Sequence, residues 1–129
     1  MNAKYLSLFT EIAHATEIIA EQVMAYDREQ NDEKGERTAQ VMRDDYGHLY
    51  DKMNVSDFDS NILTKEDYQK LLVGALIVVN NINTKIENEQ KAVNRYNIDI
   101  IPKLNRILNE CETQEQINTL ANEIFEINI

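Results

Sequence analysis

The chain has one cysteine, one proline, three glycines and no tryptophan in 129 residues. Each scarcity excludes something. A single cysteine, Cys111, forms no internal bridge, so the chain is not a disulfide scaffold. So few glycines and prolines cannot supply the tight turns of a many-stranded β protein. Bases are also short, at 13 Lys and Arg against 23 Asp and Glu, giving a net charge of −10. Free nucleic acid is therefore an unsuitable partner, because phosphate contacts need Lys and Arg. No Gly-rich phosphate loop, zinc cluster or Ser/His/Asp or Cys/His constellation is visible. The longest apolar run is residues 71–79 (LLVGALIVV), ended by Asn80, Asn81 and Asn83. A membrane span needs roughly 20 apolar residues, so no membrane association is expected.

What remains is dense in helix formers. Residues 4–28 form a first helix with Tyr5, Leu8, Phe9, Ile12, Ile19, Val23 and Tyr26 on one arc. The polar segment 30–35 breaks it. A second helix over 36–53 carries the stripe Ala39, Met42, Tyr46, Leu49, Tyr50 and Met53. Residues 54–63 read as a loop. Thr64 opens a third helix, and Asp67 three residues on completes a capping box. The stripe then runs Tyr68, Leu71, Leu72, Ala75, Val79, Ile82, Ile86 and Val93, in phase through Ile100, Leu104, Ile107 and Cys111. Pro102 interrupts it, so a break or sharp kink is expected there, with Pro102 in the first turn of a fourth helix. Thr113 with Gln116 opens a last helix whose inward face is Ile117, Leu120, Ala121, Ile124 and Phe125.

The fold class is all-α: one domain over 1–129, an elongated bundle of four to five helices with one long central helix kinked or broken near Pro102. A helix over 65–95 alone is about 46 Å long, more than the roughly 35 Å diameter of a compact domain of this size. The run 71–79 has no polar side, so it must be covered all round. Val73, Leu76 and Ile77 leave the main stripe and need a separate cover. A homodimer or larger oligomer meeting at these three residues is expected. With no signal-length apolar stretch at its N-terminus, the chain reads as cytoplasmic.

Acidity is uneven. Residues 55–106 hold seven acids and seven bases, residues 1–54 eleven against six, and residues 107–129 five against none. Along the first helix Glu11, Glu17 and Glu21 lie outward with no base among them, a face suited to a basic protein surface. Glu11 with His14 and Asp45 with His48 have the carboxylate-x-x-His spacing that di-iron bundles point inward. Here His14 lies about 170° from the centre of its helix's apolar arc and His48 about 145°. Both face away from their own core stripe, so no metal or cofactor is expected.

Residues 43–50, Arg43-Asp44-Asp45-Tyr46-Gly47-His48-Leu49-Tyr50, resemble the Arg-x4-His-x-Tyr signature of HEPN-family ribonucleases, including the toxin half of HEPN/MNT pairs. The resemblance implies a small helical dimer with Arg43 and His48 facing a cleft between chains. His48 would do acid–base chemistry on a ribose hydroxyl, Arg43 would hold the phosphate and Tyr50 would support them. In its Asn/Ile/Lys/Glu-rich composition, and in segments such as residues 63–90, the whole chain resembles small helical accessory proteins of phages and mobile islands in low-GC Gram-positive bacteria. That resemblance implies a non-enzymatic protein that binds a host or competitor protein, as an inhibitor or regulator. This is the primary expectation, with the HEPN-like ribonuclease as the alternative.

Overall fold

The computed structural model describes residues 3–81 and 87–125, and no strand occurs among them. The helices are α1 (Ala3–Glu29), α2 (Glu33–Met53), α3 (Lys65–Asn80), α4 (Glu87–Arg95), α5 (Ile101–Glu110) and α6 (Gln114–Phe125). A 3-10 turn at Ser60–Ile62 lies inside the expected loop, and a π turn at Tyr96–Ile100 joins α4 to α5. The all-α class is as the sequence predicts.

Helices α1 and α2 form an antiparallel hairpin. Its corner is set by Asn31, which adopts the left-handed conformation (φ 57°). The Asp32 amide then donates to the Asp27 carbonyl at 2.8 Å and the Asn31 amide to that of Arg28 at 3.1 Å. This is the Schellman closure of a helix end, with Asn in the usual glycine place. Asp32 immediately caps α2, its carboxylate accepting from the Gly35 amide. One residue thus ends one helix and the next begins the other.

Helix α3 opens with the predicted capping box: the Thr64 hydroxyl accepts from the Asp67 amide, and the Asp67 carboxylate accepts from the Thr64 amide. The expected single helix over 65–95 does not form. At Asn81 the side chain donates to the Ile77 carbonyl at 2.9 Å, while its backbone N–H donates to the Ile77 and Val78 carbonyls. The backbone bond to Ile77 is the last of the regular helical ladder, and α3 ends at Asn80. The stripe members Ile82 and Ile86 lie outside the described residues.

The chain remains helical ahead of Pro102. Arg95, Ile100 and Ile101 all have right-handed helical dihedrals. Pro102 sits in the first turn of α5, as expected. What changes is hydrogen-bond register: the Ile101 amide reaches back five residues to the Tyr96 carbonyl. The wider turn moves carbonyls away from the pyrrolidine ring and absorbs the donor that proline lacks. The turn is pinned to α1, because the Tyr5 hydroxyl donates to Asp99 at 2.9 Å. Lys103 pairs with the same carboxylate and lies over the Tyr5 ring, 5.0 Å from its centroid.

The core gathers Phe9, Ile12, Leu49, Leu63, Tyr68, Leu71, Ile100, Leu104, Ile107, Ile117 and Phe125. Phe9 meets Phe125 edge to face at 5.5 Å. The α6 face is buried as predicted, and so is Cys111. Helix α1 departs from expectation in its second half. Val23 and Tyr26 are exposed and Ile19 is only half-buried, while Ala13, Thr16, Ala20 and Met24 turn inward. Helix α3 crosses α1 closely at Gly74, where a Cβ would lie 2.9 Å from the Thr16 hydroxyl, 3.0 Å from the Tyr46 ring and 3.1 Å from Ile12. Glycine leaves room there for Thr16, Ile12 and the Tyr46 ring. The Thr16 hydroxyl is satisfied by the Ile12 carbonyl at 2.8 Å.

Candidate protein-binding face

Helix α3 packs chiefly on α1 and α5. Helix α2 reaches it through long side chains. The Tyr46 hydroxyl donates to the Lys70 carbonyl at 2.7 Å, and Lys52 pairs with Asp67 at 2.7 Å. Because α2 stands off, a groove of about 420 Å³ runs between the two helices. Val41 and Met42 wall it on one side, Val73 on the other, with Tyr46 among its lining and Asp45, Glu66 and Lys70 at its edge. Val41 is 61% exposed, Val73 50% and Leu76 46%.

Within one chain the run 71–79 is covered on some sides only. Leu71, Gly74 and Ala75 are buried; Leu72, Ile77, Val78 and Val79 are half-buried. Val73 and Leu76 project outward together, because positions three apart on a helix are neighbours. Gln69 and Asn80, also exposed and uncharged, extend the same row. The residues expected at a chain-to-chain contact are thus the ones this chain leaves uncovered, with Ile77 at their edge. Sequence reasoning missed Val41. Its signal was an apolar residue off the α2 stripe, two positions from Ala39 and therefore about 200° around the helix.

The other candidates are dispersed. Glu17 is turned toward α2, its carboxylate over Gly47, 2.7 Å from where a Cβ would stand. Glu21 is exposed. Glu11 is exposed and lines two grooves. One holds His14 and Tyr50, the other Lys91, Arg95 and Tyr96. Its charge adds to burial in pushing the Tyr96 phenol up to about 12. The three glutamates therefore do not make one open row.

Arg43 pairs with its neighbour Asp44 at 3.1 Å. His48 is exposed on the same continuous helix. No described contact joins Arg43 to His48. Tyr50 instead packs its ring against His14, centroids 4.8 Å apart, and its hydroxyl accepts a hydrogen bond from the Asn54 side-chain Nδ2 at 3.1 Å. The groove beside that pair, about 510 Å³, includes neither Arg43 nor His48 in its lining. Among the described residues no group of three or more His, Cys, Asp or Glu side chains is placed to hold a metal ion. No helix among them is long and apolar enough to cross a membrane. Burial pushes the Cys111 thiol upward, away from thiolate chemistry.

No protein-family model matches this chain, and neither a curated protein nor a solved structure is detectably similar to it.

Proposed function

We propose that this is a non-enzymatic acidic helical protein that acts by binding another protein through the α2–α3 face. The observation that carries the reading is the outward pair Val73 and Leu76, about half exposed, beside the groove that Val41 walls. Contiguous apolar surface beside polar residues is where soluble proteins meet partners. Fully burying such a side chain from water is worth about 1.5–3 kcal/mol, and Val73 and Leu76, at 50% and 46% exposure, each have about half of that left to gain. The negative charge of the chain favours encounter with a basic partner surface and keeps free nucleic acid away. A small acidic binder of this kind suits an inhibitor or regulator carried by a phage or mobile element.

The test is capture from the native host with the wild-type chain and with Val73→Asp/Leu76→Asp as baits, followed by mass spectrometry. A partner retained by the first and lost from the second supports the reading. RNA turnover by the purified chain, abolished by His48→Ala, would overturn it in favour of the ribonuclease.

A further inference from the structure

Resting on that reading of the α2–α3 face as a protein-docking surface, we infer that in the absence of the other protein its occupant is a second copy of this chain, docked about a two-fold axis with the Val73–Leu76 crest of each copy in the groove of the other. Three observations select a copy of itself over an unrelated protein. The first is shape. A two-fold contact uses one patch on both molecules, so the patch must complement itself. Here a crest and a groove lie side by side on one face: Val73 and Leu76 stand out from α3, and the groove opens between Val73 and Val41.

The second is charge. Two chains of net charge −10 repel each other over most of their surfaces. On this face the exposed row Gln69, Val73, Leu76 and Asn80 is uncharged, and the groove carries both signs: Asp45 and Glu66 as acids, Lys70 as a base. No ion pair among the described residues uses any of these three. A second copy gives each Lys70 an opposite charge, Asp45 or Glu66 of the other chain.

The third is area. Helix α3 has 16 residues, so it is about 24 Å long. A face two helices wide then offers on the order of 500 Å² per copy, near the lower limit for a specific interface of roughly 1,000 Å² in total. The contact is therefore large enough for a dimer that forms and dissociates with concentration.

Sedimentation equilibrium across about 1 μM to 1 mM tests this. The wild-type mass should climb from one chain to two. Val73→Asp and Leu76→Asp should each weaken association on the order of 100-fold, by removing an apolar anchor and burying an unpaired charge, with helical circular dichroism unchanged. Lys70→Glu should weaken it up to about fivefold, the scale of a partly exposed pair. Mixing Lys70→Glu with Asp45→Lys/Glu66→Lys should restore a mixed dimer, which a merely structural effect would not do.

A wild-type chain that stays monomeric throughout overturns the inference, and so does a dimer indifferent to both Asp substitutions. The protein-binding function falls separately. If the wild type is monomeric but a captured host protein protects Val41, Val73 and Leu76 amides from exchange, the function stands and the self-pairing does not.

Discussion

The two sides of α3 are made of the same kinds of residue and meet opposite fates. Leu71, Ala75 and Tyr68 are sealed within the bundle, whereas Val73 and Leu76, in the same sixteen-residue helix, face outward. Apolarity alone does not decide burial. The inward side is chosen by Gly74, which lets α1 and α2 come within van der Waals reach of the α3 backbone. Once that side is fixed, the helical period assigns the other, and residues as apolar as leucine are left without a cover from their own chain. The difference between the sides is therefore geometric, and it is open to substitution.

The largest effect should come from the sealed side. Leu71→Ala removes a fully buried side chain and should cost about 3 kcal/mol, read as a lower urea midpoint with an unchanged slope. Gly74→Val should cost about 2 kcal/mol or more, because its branched side chain meets Thr16, Tyr46 and Ile12 with no room to give. If Gly74→Val proved neutral, the crossing would be looser than described.

Alkaline pH should attack the same side. Burial, helped by Asp45, pushes the Tyr46 phenol from 10.0 up to about 12, and burial acts in the same direction on Tyr68, which has no hydrogen-bond partner among the described residues. The folded chain then holds these protons where the unfolded chain has released them. Stability should be full below pH 10 and fall as pH rises from 10 toward 12. Denaturation midpoints measured through that window check the sign, and Tyr46→Phe should flatten the fall.

The smallest effect belongs to the outward side. Val73→Ser should change monomer stability by no more than about 0.5 kcal/mol, measured at a concentration where the chain is single. A large loss there would mean that Val73 supports the fold, and the contrast between the two sides would collapse.

Much of the architecture was legible in local chemistry. The Thr64–Asp67 and Thr113–Gln116 caps, the α2 stripe and the inward face of α6 all rest on hydrogen bonds or periods spanning a few residues, and these the sequence displays directly. The second half of α1 was misread because hydrophobicity favours Ile19, Val23 and Tyr26, whereas the side that meets the bundle carries Ala13, Thr16, Ala20 and Met24. The end of α3 at Asn80 was not legible, because the apolar stripe runs on in phase past it. The wider turn ahead of Pro102 was not legible either, because its register depends on one backbone bond from Ile101 to Tyr96. For the candidate face, Val73 and Leu76 could be seen leaving the stripe. The groove and Val41 could not, because both depend on how far α2 stands from α3.

The Gly74 crossing has one more consequence, for binding thermodynamics. Val73 is its immediate neighbour in the chain, so the backbone beneath the crest is held by side chains of two other helices, α1 and α2, before any partner arrives. Little backbone freedom is left there to surrender on docking, so a ligand meeting this ridge is spared that part of the ordering cost.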